Sequence, residues 1–223
     1  MSGVNGFQSA GWYGKLPSCG DFANRRLASD LIQIWDAWLC QGLMAMQVDN
    51  PDHWLESYLA SPTWRFVLQP GFLPAPFEAT GWAGVVMPSV DRVGRYFPLS
   101  IMTPLSTMPG TTAGQVRLWS WLQSLEDAAI DALQNDWSIA ELDAELMRVG
   151  VPALTQDHVE GRVVADFLGP VASQFLSAVT RVAGAEAGLG TGSSAWYSQS
   201  YRAEPRVLHL PLRDAAVAAL WAV

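Results

Sequence analysis

The chain has 223 residues, 50% of them hydrophobic and 15% charged, and carries a formal net charge of −8. That apolar content excludes general disorder, and a chain of this length buries about 70% of its unfolded surface, so a single domain over 1–223 is expected. The acidic balance argues against nucleic acid or an anionic membrane as the main partner, because the bases are scattered apart from Arg25-Arg26 and Arg92/Arg95.

The opening "MSGVNGFQSAGWYGK" has no basic region followed by an apolar one, so no signal peptide is expected, and no apolar run is long enough to span a membrane. The expected compartment is the cytoplasm. "GWYGKLPSCGDFANRR" reads as a tight irregular loop that exposes Trp12, Tyr13 and Lys15, with Asp21 near a helix start and Arg25 and Arg26 in the first turn. Leu31, Ile34, Trp35, Trp38, Leu39, Leu43 and Met46 then recur on one helical face, predicting a helix over Ser29–Val48 capped by Ser29. "WLESYLA" predicts a short helix that ends before Pro62.

Three strands are expected next: "WRFVLQ" (64–69), "GWAGVVMP" (81–88) and "RYFPLSIMT" (95–103). The continuous apolar core of the second suits a strand covered on both faces, and Pro98 argues for an edge or a bulge in the third. Helical patterns follow in "AGQVRLWSWLQSLEDAAIDALQND", in "SIAELDAELMRVG" with Ser138 and Glu141 at capping-box spacing, and in "GRVVADFLGPVASQFLSAVTRVAG", which Pro170 should break or kink. A Gly-rich surface loop over 184–192, strands "SAWYSQS" and "RVLHLPL", and a short helix over Arg213–Trp221 complete the chain. Strands on either side of a helical block predict a three-layer α/β/α sandwich around a mixed sheet. The eleven tryptophans, spread without a repeat, read as an aromatic core.

Most catalytic and metal chemistries lack their residues. The only histidines, His53, His158 and His209, pair neither with one another nor with a cysteine at ligand spacing, and Cys19 and Cys40 form no CxxC, so neither a metal nor another cofactor is expected. "GKLPS" fails as a phosphate loop because Ser9 and Leu16 stand at the required glycine and hydroxyl positions, and there is no GxGxxG. No G-x-S-x-G or S-x-x-K occurs, although Ser89, Asp91 and His209 compose a conceivable trio. No catalytic residue is therefore assigned.

The charges of "PSVDRVGRYFPLSI" (88–101) remain. Wedged among valines and aromatics, Asp91 reads as a pin that accepts hydrogen bonds from an arginine or loop amides, with Gly94 allowing the bend. Arg92 and Arg95 stay open between pinning the turn and forking onto a partner's carboxylate or phosphate, phosphothreonine included.

In order and spacing, "GWYGKLPSCGDF", "WDAWL", "SPTWRFVLQPG" and "MPSVDRVGRYFPL" resemble the TagF family of type VI secretion-associated proteins. The resemblance is strongest over 11–103 and weaker beyond, chiefly in "LHLPLRDAAVAAL". It implies a cytoplasmic, non-catalytic α/β/α protein that represses type VI secretion post-translationally by binding the forkhead-associated scaffold protein Fha. Some relatives carry a fused PP2C-type phosphatase, for which this chain has neither the length nor the metal-binding aspartate motifs. The candidate partner-binding residues are Lys15, Asp21, Arg25, Trp64, Arg65, Ser89, Asp91, Arg92 and Arg95. Cys19, Arg26 and Ala28 depart from the pattern, where relatives carry a basic residue, a glycine and a proline.

Overall fold

The computed structural model describes residues 8–152, 154, 172, 175, 193–200, 203–208 and 214–221. Its strands are β1 (Gly11–Gly14), β2 (Ala23–Arg25), β3 (Trp64–Leu68), β4 (Trp82–Met87), β5 (Leu99–Pro104), β6 (Ser194–Ser200) and β7 (Ala203–Leu208). The helices are α1 (Ser29–Asp49), α2 (Trp54–Ala60), α3 (Thr112–Gln134) and α4 (Ile139–Val149), with a 3-10 helix over Asp214–Leu220. Among the described residues the strands form one sheet in the order β2-β1-β5-β4-β3-β6-β7.

Every ladder in that sheet is antiparallel, which corrects the mixed sheet expected from the alternation of strands and helices. A parallel pair arises when a crossover returns the chain to a neighbouring strand. Here α1 and α2 lead from β2 to β3, and α3 and α4 lie between β5 and β6; neither pair of strands is adjacent in the sheet.

The layers themselves are as expected. Side chains alternate along each strand, so Ala83 and Val85 of β4 join Leu99 and Ile101 of β5 beneath Leu118, Leu122 and Leu125 of α3 and Leu142 and Leu146 of α4. Trp82 and Val86 face the other way, with Trp64, Phe66 and Met102, against Trp35, Trp38 and Leu39 of α1 and Val217 and Leu220 of the 3-10 helix. Helices thus cover both faces of β4. The tryptophans form this core as read: Trp35 Nε1 donates to Ser100 Oγ at 2.9 Å, and Trp121 Nε1 to Gly150 O at 3.0 Å.

Several local expectations change. Pro98 precedes β5 instead of interrupting it, so the missing N–H removes no ladder bond and β5 lies inside the sheet between β1 and β4. Arg25 belongs to β2, an edge strand among the described residues, and not to a helical turn. Ala28, in extended conformation, occupies the N-cap of α1, while the Ser29 hydroxyl turns to Asp30. The Ser138–Glu141 capping box forms as its spacing predicts. Of the helix expected over 161–184 the described residues are Ala172 and Phe175, both helical and buried in the core, while the loop at 184–192, His158 and His209 fall outside the described residues.

Arg26 has a φ of 60°, in the left-handed region that favours glycine. Its guanidinium holds it there: Nε donates to Ala10 O at 3.0 Å, and Nη1 pairs with Asp143 Oδ1 at 2.7 Å. Arg26→Ala is expected to destabilise by losing these bonds while keeping the strained backbone. Arg26→Gly loses the same bonds but relaxes the strain, so denaturant unfolding should show it about 1 kcal/mol more stable than the alanine variant.

A candidate partner-binding face at the end of β1 and β5

Two segments meet at one end of the sheet. β1 pairs with β5 in antiparallel register, Tyr13 opposite Ser100, so the loop leaving β1 meets the turn entering β5. Gly14 makes the approach feasible, since a Cβ there would stand 2.2 Å from Pro98 O. The next residue, Lys15, turns its ammonium inward.

That ammonium meets Asp91, with Nζ 2.7 Å from Oδ2 and both side chains buried. Asp91 Oδ2 also accepts from Arg95 Nε at 2.7 Å, while Oδ1 accepts from the amides of Val93 and Arg95 at 3.0 and 2.9 Å. The turn closes through Gly94 N to Asp91 O at 3.0 Å, with Gly94 at a φ of 84° that glycine tolerates best. Two further bonds tie the turn to the loop: Arg92 N donates to Cys19 O at 2.8 Å, and Arg95 Nη2 to Gly20 O.

Ser89 extends the bracing. Its hydroxyl donates to Lys15 O at 2.7 Å, and its backbone is gripped by Tyr58, whose phenol accepts from Ser89 N at 2.8 Å and donates to Ser89 O at 3.0 Å. In this arrangement Ser89 and Asp91 direct their polar atoms at the turn itself and at the loop after β1. The described histidine, His53, lies exposed on α2's approach and hydrogen-bonds Glu56. Among the described residues no group of three or more His, Cys, Asp or Glu side chains is placed to hold a metal.

Burial alone would raise the Asp91 carboxyl, but the hydrogen bonds from Lys15, Arg95 and Val93 outweigh it and hold the group well below the usual carboxylate range. Burial raises the Tyr13 phenol, reinforced by its 2.5 Å hydrogen bond to Asp36 Oδ1, so it stays protonated.

The candidate residues therefore divide. Asp21, Arg92 and Arg95 are exposed around this cluster, with Asp21 Oδ1 capping Phe22 N at 2.8 Å. Arg25 is exposed on β2, its guanidinium folded back to Asn24 O at 2.8 Å. Lys15, Ser89 and Asp91 are internal braces. The expected exposure of Trp12, Tyr13 and Lys15 is overturned, since all three are buried where β1 enters the sheet. Trp64 and Arg65 are placed away from any surface: Trp64 Nε1 donates to Leu220 O at 2.7 Å, and Arg65 pairs with Glu126 while lying 4.5 Å over the Trp119 ring. Burial raises the Glu126 carboxyl, and Arg65 acts against that rise.

Sequence reasoning missed Phe22. Its ring is 44% exposed yet stacks on Tyr13 at 5.5 Å, meets Phe97 edge-on at 4.9 Å and covers Lys15 Nζ at 4.9 Å. Tyr58 was missed too, because nothing in "WLESYLA" connects it to a serine 31 residues away.

The family described as the TagF N-terminal domain, type VI secretion system-associated, matches residues 11–149. The chain belongs to this family. The TagF match runs from β1 through α4 and contains the whole cluster. The fold is similar to the crystal structure of PA0076 from Pseudomonas aeruginosa PAO1, with a TM-score of 0.71 and 28% identity over 96% of this chain and 94% of that one. None of the curated proteins matches. No described helix is long and apolar enough to cross a membrane.

Two stability outcomes follow for this TagF protein. Asp91 titrates below its unfolded value of about 3.9, so its ionised form stabilises the fold above that pH and the contribution is lost as pH falls through the depressed native value. Denaturant midpoints should fall in acid for the wild type and fall less steeply for Asp91→Asn, which should also be weaker at neutral pH. Arg65→Ala should cost about 3–5 kcal/mol by leaving Glu126 buried alone, measured as the shift in urea unfolding.

Proposed function

We propose that this chain represses type VI secretion by binding a protein component of the apparatus, the forkhead-associated scaffold Fha, through the face built by the 15–25 loop and the 89–95 turn. Membership in a type VI secretion-associated family supports the setting. The observation that carries the reading is the division of the polar groups. Ser89, Asp91 and Lys15 are spent on one another, while Arg92, Val93 and Phe22 face outward on a braced support.

A serine whose hydroxyl donates to a carbonyl, beside a carboxylate that already holds two cations, is arranged for rigidity. The proposed role is one of binding, with Ser89 and Asp91 as braces of the face and not as reacting groups. Scaffold held in the cytoplasm on this face is withdrawn from assembly by mass action.

Loss of the chain is expected to raise secretion of the tube protein under repressing conditions; unchanged secretion would exclude repression. Arg92→Glu should weaken capture of purified scaffold about tenfold or more, as truncation of a contact arginine does, with an unchanged melting temperature. A large drop in that temperature would make Arg92 a brace instead.

A further inference from the structure

Four features of the face specify what it fits. Lys15 and Asp91 neutralise each other inside, so the outward charges of the loop and turn are Arg25, Arg92 and Arg95 against Asp21, a positive island on a chain of net charge −8. Among the described residues the Arg92 guanidinium has no carboxylate partner, and it lies close over Gly20, 3.7 Å from where a Cβ there would stand. Arg95 is different: Asp91 and the Gly20 carbonyl hold its Nε and Nη2, which fixes its half-exposed side chain in place. The same loop and turn expose two apolar side chains, Phe22, packed against Tyr13 and Phe97, and Val93, 64% exposed.

Resting on the partner-binding reading above, we infer that this face recognises an acidic segment of a protein, with one carboxylate forked by Arg92 and one apolar side chain seated on Phe22 and Val93. One uncommitted guanidinium matches a carboxylate bidentately. A phosphorylated residue carries nearly twice the charge and is met by clusters of free donors, whereas Arg95 has already given two of its N–H edges to this loop. The fixed Phe22 ring lowers the ordering cost of contact. The negative charge over the rest of the surface repels an acidic segment elsewhere and steers it here.

The test is selection from a random peptide display library against the full chain. Parallel selections use Arg92→Glu, Phe22→Ser and Arg148→Glu, the last making the same change in net charge on α4. The inference expects enriched peptides to be net acidic with an aromatic or aliphatic residue. Synthetic versions should bind at least about tenfold more weakly to Arg92→Glu and Phe22→Ser but not to Arg148→Glu, and should weaken as salt is raised. No enrichment, neutral or basic winners, equal binding by all variants, or tighter binding of a phosphothreonine peptide than of its aspartate or glutamate counterpart would each overturn it.

Capture of purified Fha separates this from the reading beneath it. Capture lost in Arg92→Glu but insensitive to salt and to neutralising the scaffold's acidic segments leaves the face correct and the acidic ligand wrong. Capture unchanged in both Arg92→Glu and Phe22→Ser removes the face itself.

Discussion

The buried pair of Lys15 and Asp91 governs the end of the molecule where the candidate face lies. Removing one member leaves a charge in an apolar surround, a much larger cost than breaking a surface pair. The loop after β1 and the turn before β5 therefore adopt their shapes together. Lys15 reaches the turn only if Gly14 lets β1 close on Pro98, and Asp91 satisfies four donors only if the chain bends at Gly94.

From that constraint follows the contrast between inside and outside. The groups most suggestive of chemistry, a serine, an aspartate and a lysine, are consumed in the bracing. The bracing in turn aims Arg95 and supports Phe22, whose ring roofs the Lys15 ammonium. A surface organised in this way presents fixed contacts at little entropic cost on binding, as the proposed function requires.

The sheet places this arrangement at one end through its strand order. β5 lies between β1 and β4, so the β4–β5 turn stands beside the exit of β1 although Lys15 and Asp91 are 76 residues apart. Helices on both faces close the core over these strands, and aromatic rings fill one side almost continuously, with Trp35, Trp38, Phe66 and Trp196 in mutual contact. Tyr58 of α2 carries that side of the core to Ser89 at the turn.

The residues alone determined the elements with strong local signals: α1 and α3 from helical periodicity, α4 from its capping box, β3 and β4 from apolar, branched runs, and the family from four ordered motifs. They also placed Asp91 as a pin held by an arginine and the amides of its own turn, but not its distant partner Lys15. Only the tertiary structure decided the rest. β1, flanked by glycines, and the three-residue β2 are too short to announce themselves, and they exist as strands through pairing with β5 and each other. Lys15, Trp64 and Arg65 looked available and are interior, since whether a long charged or aromatic side chain reaches water depends on partners distant in the chain: Asp91, Leu220 and Glu126. Antiparallel pairing was likewise invisible, because periodicity reports which face of a strand is buried and not which strand lies beside it.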